Sequence, residues 1–231
     1  MTSPDAIISR RALLVSLGSL LPLAAAGCTT VSGSSPRVAQ PAAPAIPDHL
    51  RAMYGAMPKE RFPVPAADLA NLDPRYYRKV VAYPTPEKPG SVIVDTPERY
   101  LYYVLNDGKA VRYGVGIGRA GFAWSGRAHI AYKREWPVWT PPADMIKREP
   151  ELERWRHGMP PGLANPLGAR ALYIHQGNKD TLYRIHGTAE AGTIGQAISS
   201  GCVRLLHQDI ADLYERVRPG SPLVVLGSAE V

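Results

Sequence analysis

The chain has 231 residues, 27 Lys and Arg against 20 Asp and Glu, a formal net charge of +7 and 45% hydrophobic residues. Such a composition excludes a wholly disordered or fibrous chain, and the length allows one or two domains with a sizeable core. With no recognisable nucleic-acid-binding motif on a chain that reads as exported, the basic excess suits an acidic polymer or a membrane surface, and nucleic acid is not expected as a partner.

The N-terminus carries an export pattern. Ser9-Arg10-Arg11-Ala12-Leu13-Leu14 matches a twin-arginine signal, and an apolar run from Ala12 to Ala26 follows. That run is shorter than the about 20 residues a spanning helix needs, and it contains Gly18 and Pro22. Residues 1–27 are therefore expected to be a signal peptide. Ala25-Ala26-Gly27-Cys28 resembles a lipoprotein cleavage box, with Ala25 where Leu is commoner, so Cys28 is the expected lipidation site and a lipid anchor the expected link to the membrane, with simple cleavage or an uncleaved anchor as the alternatives. Thr29 follows it, and by analogy with Gram-negative sorting rules this points to the outer membrane and a periplasmic location. Residues 28–48 are rich in Pro, Ala and Ser and read as a flexible tether. Residues 49–90 have scattered apolar side chains broken by prolines, the pattern of an extension packed on the surface of a domain spanning 91–227.

Regular strand signals begin at Ser91. Val92-Ile93-Val94, 99–105 and 110–117 are rich in β-branched and aromatic residues, and Asn106-Asp107-Gly108-Lys109 predicts a hairpin turn. Alternation over 127–133 predicts Ala128, Ile130 and Tyr132 on one face, with His129, Ala131 and Lys133 on the other. Strands over 171–175 and 181–185 are expected to form a hairpin, with a closing strand at 223–226. Ile210, Leu213, Tyr214 and Val217 recur at helical spacing up to Pro219-Gly220, and Pro150 interrupts a second helical stretch over 143–157. The expected fold class is mainly β: a β-sandwich of mixed and antiparallel strands with a few short helices.

The most informative segment is Tyr183-Arg184-Ile185-His186-Gly187-Thr188, followed after a spacer by Ser199-Ser200-Gly201-Cys202-Val203-Arg204. The chain has two cysteines; once Cys28 is acylated, Cys202 is the single thiol of the mature protein. A working cysteine needs a base or a cation beside it, because an ordinary thiol has a pKa of about 8.5. His186 and Arg204 supply both, and Gly187 and Gly201 permit tight turns and close approach. An arbitrary Cys and His pair is more often a buried cysteine and a satisfied core histidine, but these neighbours favour chemistry. His186 is expected to end a strand, and Cys202 to lie in a loop just before the next helix.

The segment resembles the signature of the L,D-transpeptidase catalytic-domain family, cysteine enzymes of the bacterial cell wall: His-Gly-Thr, a spacer, then Ser-x-Gly-Cys-[Ile/Val]-Arg. His186, Gly187, Thr188, Ser199, Gly201, Cys202, Val203 and Arg204 fill every position. Ile194-Gly195 and 165–173 also look like the family, over roughly residues 91–226. One departure is His207, where many members carry Asn; there it is expected to be a weak N-cap of the following helix.

The resemblance implies that Cys202 attacks a peptidoglycan stem tetrapeptide before its terminal D-Ala. A thioester forms, and the acyl group passes to an amine, giving a three-to-three cross-link or attachment to an envelope protein. His186 would be the base and Arg204 a contact for substrate carboxylate or thiolate, or else half of an internal bridge to an acid such as Asp209. Backbone N–H groups around Gly201, Cys202 and Val203 are the natural oxyanion donors, whereas Ser199 and Thr188 are expected to shape the loop. Trp136, Trp139, Met145 and Tyr173 are expected to line the substrate approach. The same thioester could serve an L,D-carboxypeptidase or hydrolase, and a non-catalytic lipid-anchored peptidoglycan-binding module is the alternative of another class. No cofactor is called for. A zinc site built from His175, His186, Cys202 and His207 is disfavoured, since no close ligand spacing occurs.

Overall fold

The computed structural model describes residues 46–118, 125–199 and 201–227, with Ser199 described by its backbone alone. The expected signal peptide, Cys28 and most of the tether lie outside the described residues. The first half of the domain contributes β1 (Lys79–Ala82), β2 (Val92–Asp95), β3 (Tyr100–Val104), β4 (Lys109–Gly114), β5 (Ile117–Gly118) and β6 (Gly126–Glu135). The second contributes β7 (Arg170–Gln176), β8 (Lys179–Thr188), β9 (Ala197–Ser199), β10 (Val203–Leu206) and β11 (Pro222–Leu226). Helices are short: α1 (Asp48–Met53), α2 (Ala143–Arg148) and α3 (His207–Arg216).

Nine strands form one mixed sheet in the order β1-β4-β3-β2-β11-β6-β7-β8-β10, and β5 pairs with β9 in a second, two-stranded sheet. The turn between β3 and β4 places Asp107 at φ 58° and Gly108 at φ 63°, as the Asp-Gly pair predicts for a two-residue hairpin loop. Val92, Leu101 and Tyr113 from one end of the large sheet share a single core with Ile174, Ile185 and Leu205 from the other. The sheet thus folds over α3, whose Ile210 and Leu213 are fully buried and each stabilise the fold by about 2 kcal/mol. This is the mainly β, mixed-sheet architecture with few helices that the strand patterns imply.

Four local expectations fail for identifiable reasons. A register shift in β6 between Ile130 and Tyr132 moves Tyr132 out of line with Ala128 and Ile130. A one-residue slip changes the face of a side chain: Ile130 is buried in the core, whereas Tyr132 is 36% exposed and stacks on Tyr173. His186 does not end its strand, because β8 continues to Thr188 through pairing with β10. For the same reason Cys202 leads into a strand, with all of β10 between it and α3. His207 is not the N-cap, since Leu206 holds that position without a side-chain bond, and His207 is the first residue of α3 with its ring buried.

Residues 46–90 add an element not anticipated, the edge strand β1, antiparallel to β4. Tyr54, Leu72 and Tyr76 of this stretch are buried in a second apolar cluster with Ile93, Tyr100 and Tyr102. Polar ties then reach the start of α3. Gln208 Nε2 donates to Gly55 O at 3.1 Å and Pro65 O at 2.9 Å, Tyr54 Oη donates to Asp209 at 3.4 Å, and Arg78 lies 3.7 Å from Asp209 and 3.3 Å from Asp212.

Candidate active site

Strands β8 and β10 run parallel, with Ile185 opposite Val203 and His186 opposite Arg204. Strand alternation sends Ile185 and Val203 into the core, both 0% exposed. His186 and Arg204 therefore share the other face, where Arg184, two residues before His186, joins them. Cys202 precedes β10, and it receives a backbone hydrogen bond from Arg184. Behind β10 the Arg204 N–H donates to Gly116 O at 2.8 Å and Gly116 N–H to Arg204 O at 2.9 Å, which fixes the strand from its other edge.

His186 is 5% exposed, with Nδ1 3.0 Å from Gly187 O. A carbonyl only accepts, so the neutral ring carries its proton on Nδ1 and presents the lone pair of Nε2. Burial lowers the imidazole pKa to about 4, assisted by the Arg204 and His207 charges and opposed by the bond to Gly187. Cys202 is partly exposed, and burial pushes its thiol up against the pull of the Arg184 backbone bond and the Arg184 and Arg204 charges. Both directions favour an uncharged resting pair: thiol and neutral imidazole.

Two glycines are required by space and conformation. Gly201 has φ 136°, and a Cβ there would lie 2.9 Å from Tyr183 Cε1. Gly187 lets the His207 ring lie against the backbone, since a Cβ would meet His207 Nδ1 at 2.6 Å. The following loop is held by Thr188 Oγ1, which accepts from Glu190 N–H at 3.1 Å, and by Thr193 Oγ1, which donates to Glu190 O at 2.7 Å. Its Glu190 carboxylate lies 3.4 Å from Arg204 Nη1. The acid that Arg204 bridges is thus Glu190 and not Asp209, which faces Arg78 and Tyr54 instead.

His186, Gly187, Thr188, Gly201, Cys202 and Arg204 line one cleft of about 1240 Å³, whose walls also include Trp139, Met145 and Tyr173. Trp136 does not line it. At φ 43° the chain turns there, the indole is 4% exposed beside Val64 and Ala169, and Nε1 donates to Glu60 at 2.8 Å. Val203 does not line the cleft, its side chain lying in the core. The Ser199 side chain and Cys28 lie outside the described residues. His175 is away from the cleft and packs edge-on against Tyr132. Among the described residues no group of three or more His, Cys, Asp or Glu is placed to hold a metal ion, and no helix is long and apolar enough to cross a membrane.

Three contributors were not singled out from the sequence. Arg184 forks Asp180 at 2.7 and 2.8 Å and lies 4.3 Å over the Tyr173 ring; its position two residues from His186 in a strand was the available signal. Glu190 stands in the loop after Thr188 with no local pattern to mark it. Asn165 is a hub: Nδ2 donates to Pro137, Met159 and Pro160 carbonyls at 3.0–3.1 Å and Oδ1 accepts from Leu167 N–H at 2.9 Å, tying the cleft wall to the start of β7.

The model of the YkuD family, the L,D-transpeptidase catalytic domain, matches residues 89–225. The chain belongs to the L,D-transpeptidase catalytic-domain family. Among curated relatives, the probable L,D-transpeptidase ErfK/SrfK of Escherichia coli (strain K12) is 33% identical over 144 residues, which cover 58% of this chain and 43% of that protein. The probable L,D-transpeptidase YbiS of the same organism is 35% identical over 137 residues, 57% of this chain and 42% of that protein. The chain thus spans less than half the length of these relatives. A solved Brucella melitensis chain, described as a probable carnitine operon oxidoreductase, is 44% identical and covers 69% of this chain and 99% of its own length. The TM-score of that match is 0.48.

Proposed function

We propose that the chain is a peptidoglycan L,D-transpeptidase in which Cys202 is the nucleophile and His186 the general base. The observation that carries this reading is the in-register pairing of β8 with β10, which sets His186 beside Arg204 and brings Cys202 into the same cleft. As the sulfur attacks the carbonyl after the third residue of a stem tetrapeptide, its proton passes to Nε2 of His186. Negative charge builds on the carbonyl oxygen, within reach of backbone N–H groups around Gly201, Cys202 and Val203. The C–N bond to terminal D-Ala breaks, His186 returns its proton to the leaving amine, and a thioester remains. An acceptor amine then attacks the thioester, His186 takes its proton, and the amide forms as the thiol is regenerated.

The uncharged resting pair supports proton transfer in step with attack, since burial disfavours a standing thiolate. Among the described residues the Arg204 guanidinium meets the exposed Glu190 through Nη1, and its planar fork suits a substrate carboxylate. Tyr173, Trp139 and Met145 form the walls along which the stem peptide lies. The export and lipidation patterns support a periplasmic protein anchored through Cys28, with the stem peptides of the wall as donor substrate and either another stem or an envelope protein as acceptor.

Incubation of the purified protein with isolated sacculi, followed by mass spectrometry of the muropeptides, tests this reading. Three-to-three cross-linked dimers are the expected product. Tripeptides alone would show a hydrolase, and unchanged muropeptides with retained sacculus binding would show a binding module. Membrane fractionation of the wild type against Cys28→Ala tests the anchor.

A further inference from the structure

We infer that Glu60 is a positioning residue for His186, acting through Arg170, Trp136 and His207. The inference rests on His186 serving as the base for Cys202. Glu60 belongs to the stretch before the family-matched residues 89–225, so this segment becomes part of the catalytic unit.

The links are short and mostly buried. The Glu60 carboxylate accepts from Arg170 Nη1 and Nη2 at 2.8 and 2.7 Å and from Trp136 Nε1 at 2.8 Å. The Arg170 and Glu60 side chains are only 8% and 17% exposed. One carboxylate therefore ties the residue after β6 to the first residue of β7. Trp136 at φ 43° has a backbone conformation that L residues rarely adopt, and such a conformation persists only where its surroundings enforce it. The bond to Glu60, the Phe62 ring at 4.9 Å and the Trp136 N–H bond to Ala169 O supply that enforcement.

The next layer is His207. Its ring centroid is 6.5 Å from that of Trp136, and its Nδ1 faces the Ala169 N–H at 3.4 Å. The same ring fills the space left open by Gly168 and Gly187, where added Cβ atoms would approach it to 2.4 and 2.6 Å. Gly187 O in turn holds the Nδ1–H of His186. The path runs from carboxylate to guanidinium and indole, to imidazole, to the carbonyl that orients the base. Glu60 does not line the cleft, so its removal should disturb turnover rather than substrate binding.

The test is steady-state kinetics on a purified disaccharide-tetrapeptide muropeptide for the wild type, Glu60→Gln, His207→Asn and the double variant. Glu60→Gln is expected to lower kcat roughly tenfold with KM changed less than about twofold, and in the His207→Asn background the same change should lower kcat less than about twofold, because residues acting in series are non-additive. Equal losses in both backgrounds, or an effect confined to KM, overturn the inference. If Glu60→Gln does not fold, Trp136→Phe, which removes the indole N–H from Glu60, carries the same comparison. An active wild type whose kcat is matched by Glu60→Gln sinks this inference alone. A wild type that turns over no muropeptide sinks the reading of His186 and this inference together.

Discussion

Arg204 stands directly opposite His186 in the parallel pairing of β10 on β8, and its guanidinium meets Glu190 through one 3.4 Å contact. That contact is long for a charge-assisted bond, and Glu190 is 68% exposed, so the pair is weakly held and open to exchange with a substrate carboxylate. Arg204→Lys should therefore reduce kcat/KM by about tenfold, because an ammonium cannot reproduce the planar fork. Glu190→Gln should change kcat/KM by less than about threefold. Parallel kinetics on one muropeptide check both; a lysine variant as active as the wild type would remove Arg204 from substrate recognition.

His186 keeps its proton on Nδ1 by donating to Gly187 O, which leaves the Nε2 lone pair as the proton acceptor of the proposed mechanism. His186→Ala should cost about 10²–10⁴ in turnover, the range for loss of a positioned base, and Cys202→Ala should leave none. Carbapenem-type β-lactams, which the family resemblance implies as acylating agents, should add one molecule to the wild type at Cys202 and none to Cys202→Ala. Intact-mass spectra decide this, and an adduct on the alanine variant would sink the nucleophile assignment.

The candidate site was legible because its signal is local: a histidine and a cysteine each flanked by glycine, with arginine two residues after the cysteine. Runs of β-branched and aromatic residues also marked the strands that bury Val92 and Leu101. What escaped was non-local or irregular. The bulge in β6 leaves no compositional trace, yet it carries Tyr132 onto the face where it stacks with Tyr173 at 4.2 Å. Strands β9 and β10, of 3 and 4 residues, are too short for alternation to declare them. Trp136 looked like a neighbour of Trp139 on the cleft, but its indole is claimed by Glu60, 76 residues earlier. Pairing over that distance has no periodic signature.

Gly201 combines φ 136° with a Cβ site 2.9 Å from Tyr183 Cε1. Gly201→Ala therefore strains the backbone by about 1–3 kcal/mol and pushes the chain away from Tyr183, directly before Cys202. Acylation should slow by at least about tenfold while thermal unfolding stays cooperative, with a Tm a few degrees lower. Gly220, also at positive φ but with open space around it, is the control for conformational strain away from the cleft. Comparable losses of acylation in Gly201→Ala and Gly220→Ala would show that strain alone, and not displacement of the thiol, accounts for the effect.

His207 makes stability depend on pH. Burial lowers its pKa to about 4, the Glu60 charge opposing and the Arg170 charge assisting, whereas an unfolded histidine titrates near ~6.5. Between those values the unfolded chain binds more protons than the folded one, so stability is complete above the unfolded pKa and falls as pH drops through the window. The loss amounts to about 3 kcal/mol for full traversal. His186, also lowered to about 4, adds in the same sense, while Asp209, raised to about 7 by burial, acts in the opposite one. Both of these remain in His207→Asn, so comparison of that variant with the wild type isolates the His207 contribution. Urea midpoints at pH 7.5 and pH 4.5 should show a markedly larger drop for the wild type than for His207→Asn. Equal drops would mean that the imbalance in proton uptake lies elsewhere, and that the His207 ring accepts a proton in the fold as readily as in water.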